Sequence, residues 1–316
     1  MNIDSYKNKK CSDINLSRKW SELPYAGEDT VPQGLDPNAG SWPLYFMDRN
    51  TEGEFTTLDG KVINFDILNP DYFNFNKELL IVKETLDNLT QEEKVIAEYW
   101  GDGPATKQWT PIIDRLIDTY RLTPVYAARV LAAVHAGIND AFIVAWYYKY
   151  LWDVARPNQL DQELVTEICT PKFPAYPSGH SVISGTAEVI LSYFFPSEAN
   201  KLRELAEENS LSRLYGGVHF PADLSEGLRL GRQIGNIIVD VLNSQYDEND
   251  NIIDKPITEE FDADLYPTNY EQVILFPSRA KACDLPLLSD SCKRESEDKN
   301  EDKDDEYSID DFEFSI

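Results

Sequence analysis

Histidine, cysteine and positive charge are all scarce in this chain. Its 316 residues include three histidines and four cysteines, and 29 lysines and arginines stand against 56 aspartates and glutamates, a net charge of −27. Nucleic acid and anionic membrane surfaces repel such a polyanion, so neither is expected as a partner. Cys11, Cys169, Cys283 and Cys292 show no CxxC or other metal-ligand spacing, which argues against a structural zinc site. So few cysteines predict a reducing compartment, with a Cys283–Cys292 bridge left open. Long apolar runs are missing too, since no window of about 18 apolar residues is free of charge. The nearest stretch, Val125 to Trp152, carries Arg129, His135, Asn139, Asp140 and Lys149, and it reads as a buried helix of a soluble bundle. Behind Met1 the chain is polar, without the apolar core of a secretory signal, so a cytoplasmic location is expected. No internal repeat of fixed period stands out.

What is present reads as an irregular front, a helical body and a polar end. Residues 1–75, rich in Pro, Gly, Asn and aromatics, are expected to wrap the body as an arm. Within them Gly53 to Phe65 reads as a small β-hairpin with Asp59-Gly60 as its turn signal. The spacing predicts an all-α body over 76–250. Thr90-Gln91-Glu92-Glu93 is a capping box opening a helix through Trp100, and Trp109 to Tyr120 forms another. Thr123-Pro124 caps a long helix running to about Val154, which Pro157 ends by driving Arg156 out of helical geometry. Further helices are expected from His180 to Phe195, from Ala199 to about Leu211, and from Pro221 to about Leu242. Residues 251–292 read as an irregular extension, and the acidic run 293–316 as a disordered tail. The central helices are apolar on most faces, which also allows a homo-oligomer.

Against this acidic background, three short segments gather most of the chemistry. They are Lys149 with Arg156-Pro157; Pro177-Ser178-Gly179-His180; and Ser212-Arg213 followed by His219 and Asp223. Lys149 and Arg156 are two helical turns apart and can project toward one region. Guanidinium offers an oxyanion a planar fork of donors, and the ammonium a compact charge. Ser178 and Gly179 precede a helix, whose free N–H groups and positive dipole end favour an anion. His180, in the first turn, is placed to exchange a proton. Asp223 can hold the proton of one His219 ring nitrogen and leave the other free as nucleophile or metal ligand. Each piece alone also suits an ordinary helix end or cap. Together, in this order and at helix boundaries, they point to a cage for a tetrahedral oxyanion. His135, mid-helix among alanines, reads as a core histidine, and Asp140 as a buried carboxylate that is not a catalyst.

The pattern Lys149-x6-Arg156-Pro157, Pro177-Ser178-Gly179-His180, Ser212-Arg213-x5-His219-x3-Asp223 resembles the signature of one superfamily. That superfamily joins vanadium-dependent haloperoxidases to type 2 phosphatidic acid phosphatases and bacterial acid phosphatases. The resemblance covers roughly residues 90–240, and Leu89 to Trp100 is similar to the bacterial haloperoxidase-like branch. It implies a helical bundle with the oxyanion at one end. On the haloperoxidase side it implies vanadate on His219 and hydrogen bonds to its oxygens from Lys149, Arg156, Ser178, Gly179 and Arg213. His180 would then be acid–base toward hydrogen peroxide, and Lys149 would polarise that peroxide for halide attack. On the phosphatase side it implies a phosphate ester in the same cage, with His219 as nucleophile and His180 as general acid. Trp146 and Phe173 match an aromatic pair lining the halide side and favour the peroxidase, although both residues also suit a plain core. A soluble phosphatase and a non-catalytic anion-binding protein are the other two readings.

Overall fold

The computed structural model describes residues 19–274. Cys11, the possible Cys283–Cys292 pair and the acidic run 293–316 lie outside the described residues. Eight α-helices are found within them: α1 Phe75–Asp87, α2 Gln91–Gly101, α3 Trp109–Thr119, α4 Pro124–Trp152, α5 Pro157–Leu160, α6 Gly179–Phe194, α7 Ala199–Tyr215 and α8 Pro221–Asn243. The fold is an all-α bundle, and its only sheet among the described residues is a two-stranded antiparallel one.

Local chemistry explains most helix ends. Thr90 and Glu93 form the full capping box at the start of α2. Proline stands in the first turn of α4, α5 and α8, where the missing N–H has no partner to lose. Asp153, in the left-handed region at φ 51°, closes α4. Helix α6 runs through the middle, packed against α4, α7 and α8. Its crossing with α8 is close because glycines line it: a Cβ on Gly231 would sit 2.0 Å from the Val182 carbonyl oxygen, and one on Gly185 2.7 Å from that of Leu228. The main core spans α2 to α8, with Trp100, Trp109, Phe194 and Phe195 completely buried.

Helix α4 is long and apolar enough to cross a membrane, but 56% of its apolar window is buried inside the protein. That is the behaviour of a core helix.

The residues before α1 lie along the body and are tied to it by hydrogen bonds. Asp140 on α4 is buried, and its carboxylate accepts from the backbone N–H groups of Tyr45 (2.9 Å) and Phe46 (2.8 Å). Burial holds its pKa above the ordinary carboxylate value, while these two donors pull it back down. Asp140→Ala would strand two peptide N–H groups in the interior. We expect it to destabilise the protein by about 2–4 kcal/mol, read as a drop in melting temperature of roughly 5–15 °C with faster proteolysis near residues 40–50.

Three expectations are corrected here. The strand pairing lies upstream of the expected hairpin: β1 Asp48–Arg49 pairs with β2 Phe55–Thr56. The Asp59-Gly60 turn is present, but it returns the chain to β2 through a single bridge, Thr56 to Val62. Arg49 sets this register by lying 3.7 Å over the Phe55 ring and 5.1 Å over that of Tyr147 on α4. Helix α4 stops at Trp152, two residues short of the expected Val154, and Arg156 lies in an extended segment as Pro157 requires, so it is not two helical turns beyond Lys149 on one continuous helix. Lastly, Cys169 is disulfide-bonded, which runs against the reducing compartment expected from the cysteine count.

Candidate active site

The residues singled out from sequence come from four places in the fold. Lys149 is in the last turn of α4, and Arg156 follows in the extended link before α5. Ser178 is the N-cap of α6 and Gly179 its first residue. Arg213 is in the last turn of α7, and His219 and Asp223 flank the start of α8. The Ser178 N–H donates to the Asp223 carbonyl at 3.0 Å, which joins the starts of α6 and α8. Lys149, Arg156, Ser178, Arg213, His219 and Asp223 are all buried, whereas His180 keeps partial exposure.

The cations are held from behind by backbone carbonyls. Lys149 Nζ donates to the carbonyls of Pro174 and Ala175, both at 2.8 Å. Arg156 Nε donates to Phe173 (3.0 Å) and Nη1 to Val218 (2.7 Å). Arg213 Nη2 donates to the Ala97 carbonyl at 3.0 Å, and its Nε to the Ser212 hydroxyl at 3.0 Å. Two of these carbonyls' neighbours are braced in turn by the front segment: the Tyr25 hydroxyl donates to Pro171, and the Tyr176 hydroxyl to Leu68. Gln159 accepts the Arg156 N–H at 2.8 Å and donates to the carbonyls of Trp20 and Leu23. Backbone carbonyls carry no side-chain signature, so sequence reasoning missed this scaffold. It also missed Gln159, for which only its place three residues after Arg156 was a signal.

The two histidines are fixed through opposite nitrogens. His219 Nδ1 lies 2.8 Å from Asp223 Oδ2 and its Nε2 2.9 Å from Arg156 Nη1. A guanidinium can only donate, so Nε2 carries the lone pair and Nδ1–H points to the carboxylate. His180 Nε2 lies 3.2 Å from the Trp100 carbonyl, which can only accept, so Nε2 is protonated and the lone pair is on Nδ1.

Buried positive charge dominates the electrostatics. Desolvation, then repulsion from Arg156, holds Lys149 well below its usual value. Arg156 falls to about 10 by desolvation, and Arg213 to about 9 by desolvation and the nearby Arg156. Desolvation first, then the surrounding cations, keeps both His180 and His219 well below 6.5. Burial lifts Asp223 to about 7, although the Phe220 N–H, Lys149 and Arg156 all pull it down. Arg156 Nη2 and Asp223 Oδ1 are buried without hydrogen-bond partners. Three buried cations around one carboxylate are short of negative charge, the condition that a bound oxyanion would relieve.

An aromatic wall closes one side. The Trp146 and Phe173 rings lie 4.7 Å apart, with Lys149 Nζ 5.1 Å from Phe173 and 6.0 Å from Trp146. A Cβ on Gly179 would touch Phe142, Trp146 and Lys149 at 3.4–3.8 Å, so the α6 N-terminus faces the same wall. His135 is absent from the cage. It is half-buried, fourteen residues before Lys149 on α4, roughly 21 Å away along the helix axis.

The site thus defines a class, helical proteins that gather buried cations and a histidine–carboxylate pair where four helices begin or end. Residues 125–246 match a family described as the PAP2 superfamily. No curated protein sequence matches the chain. Among solved structures, the fold is similar to "the first bacterial vanadium dependant iodoperoxidase" at 23% identity and a TM-score of 0.54, over 68% of this chain and 59% of that one. A bacterial vanadium-dependent chloroperoxidase is similar in its holo form (14% identity, TM-score 0.53, 72% of this chain and 62% of that one). Its apo form gives 14% identity and a TM-score of 0.55, over 74% of this chain and 65% of that one. The chain therefore spans about six-tenths of the length of these structures, and the likeness is one of fold.

Proposed function

We propose that the protein is a vanadium-dependent haloperoxidase that oxidises halide with hydrogen peroxide. Vanadate fits the residues present: an excess of buried cations, an unpartnered Arg156 Nη2, and a His219 Nε2 lone pair that meets only the Arg156 guanidinium, which can turn to a bound oxyanion instead. His219 Nε2 would hold it, and Lys149, Arg156, Arg213, Ser178 and Gly179 would surround its oxygens. Bound there, vanadate would supply Lewis-acid activation of peroxide. Asp223 keeps His219 in the tautomer that presents Nε2. His180, neutral and carrying its lone pair on Nδ1, is suited to accept a proton from incoming hydrogen peroxide. The Lys149 ammonium keeps positive charge where a halide would approach along the aromatic wall.

The observation that carries the peroxidase reading over the phosphatase one is that wall. Trp146 and Phe173 pack at 4.7 Å directly beside Lys149, leaving a face suited to a small, weakly hydrated anion and not to the organic group of an ester. A phosphatase would also need His180 protonated for the leaving alcohol, and burial among cations opposes that charge.

The test is to load purified protein with orthovanadate and supply peroxide with iodide, bromide or chloride, following iodide oxidation or monochlorodimedone bromination. A phosphate monoester is assayed in parallel without vanadate. Vanadate-dependent halide turnover is expected. Ester hydrolysis without halide turnover would establish the phosphatase instead, and neither activity would leave an anion-binding protein. His135→Ala serves as control: turnover persists, and only the melting temperature moves.

A further inference from the structure

Behind Gly101 lies a cavity of about 410 Å³, a size suited to a small organic molecule. Gly101 is a wall common to this cavity and the cage, since a Cβ on it would lie 3.2 Å from Arg213 Nη2. Ile168 is another, lining the cavity while packing on Gly101 and Gly216. The neighbouring residue, Trp100, bonds His180, the one cage side chain that keeps partial exposure. The cavity therefore adjoins the face of the cage bearing His180 and Arg213.

Its lining is chemically one-sided. Tyr99 and Tyr270 present an edge-to-face ring pair at 5.6 Å. Among the described residues the charged lining is Glu98, Asp102 and Glu167, with no lysine or arginine. Lys94 offsets Glu167 at 3.1 Å and Lys107 offsets Asp102 at 3.7 Å. Glu98 is exposed and has no ion pair among the described residues. A doubly charged ester would meet repulsion here, whereas an aromatic cation would find ring surface and an unbalanced carboxylate.

We propose that this cavity binds the organic acceptor of the oxidised halogen, and that it selects aromatic rings carrying a positive charge, such as phenolic amines. The assignment rests on the haloperoxidase reading for its chemistry. Hypohalous acid, made from halide and peroxide, transfers its halogen to a ring carbon. The halogen–oxygen bond breaks, the carbon–halogen bond forms, and the displaced ring proton leaves with the hydroxide as water.

The test measures binding first, on the full chain without vanadate, so that it does not depend on turnover. Tyramine and 3-(4-hydroxyphenyl)propionate, equal in ring and opposite in charge, are titrated by calorimetry at about 50 mM salt, where surface charge is weakly screened. Tyramine is expected to bind about fivefold or more tightly. Glu98→Lys, at an exposed position that leaves folding intact by thermal melt, is expected to abolish or invert that preference. Equal affinities, no binding of either probe, or a preference untouched by Glu98→Lys would overturn the proposal. In the vanadate-loaded enzyme, the same ratio is expected in KM for ring bromination. Charge-selective binding with no halide oxidation would leave the cavity selective and remove the peroxidase reading, so the two failures are separable.

Discussion

His219→Ala is expected to lower halide oxidation by roughly a thousandfold or more, and to remove vanadate affinity with it. The effect is large because no other neutral nitrogen in the cage is placed to replace His219 Nε2 as ligand. Lys149, Arg156 and Arg213 can only donate, and the His180 lone pair is on a ring fixed by Trp100. Stability should change far less. The truncation leaves Asp223 Oδ2 with its bond from the Phe220 N–H and takes away a ring already held neutral among cations. Melting within a few degrees of the parent, combined with lost vanadium binding by 51V NMR, would separate a site defect from a folding defect. Asp223→Asn should be milder, about ten- to a hundredfold, because the ring stays but loses the partner that fixes its tautomer. Vanadium binding undiminished in His219→Ala would move the ligand away from Nε2 and sink the assignment.

How far the sequence was legible depends on the range of the interactions. The Thr90–Glu93 box, Thr123-Pro124 and Phe220-Pro221 mark helix starts through contacts within four residues, and those starts are where the structure has them. The segments carrying Lys149, Ser178, His180, Arg213 and His219 are brought together at one end of the bundle because each sits at a helix boundary. The reading that set Arg156 two helical turns from Lys149 assumed a continuous helix that the structure does not have. Pro157 rightly forbids Arg156 helical geometry, but the break comes earlier, at Asp153. There the chain pairs Val154 with Lys19 and Asp153 with Ser21, partners more than 130 residues away. The β1–β2 register was missed for the same reason, since the Tyr147 ring beneath Arg49 lies on α4. Asp140 read correctly as a buried carboxylate, but the backbone N–H groups that it clamps have no sequence identity to announce them. The same is true of the carbonyls that hold the cations.

Sulfate should stabilise the protein more at pH 6 than at pH 8. It is a tetrahedral dianion whose own charge is constant over that range, so the pH dependence reports the cage. Without a ligand, His180 and His219 stay neutral in the folded state, while the unfolded chain protonates them near 6.5. Their contribution to stability is present above that value and lost as pH falls below it. Asp223, raised to about 7, acts with the opposite sign, since the folded state takes its proton first. Two histidines against one carboxylate leave the unfolded chain with more protons, so stability falls on acidification. A dianion in the cage raises the proton affinity of all three groups and of Lys149. Binding then takes up protons, and affinity rises as pH falls, about tenfold per pH unit for each proton taken up. At a hundred times Kd, sulfate should add about 2.7 kcal/mol, a rise in melting temperature of roughly 5–10 °C, shrinking toward pH 8. Arg213→Ala controls for general salting-out, because it removes a cage donor and should lose the pH-dependent part alone. A shift of equal size at both pH values, or one unchanged in Arg213→Ala, would mean that sulfate acts on the surface and that the buried cations do not form an anion site.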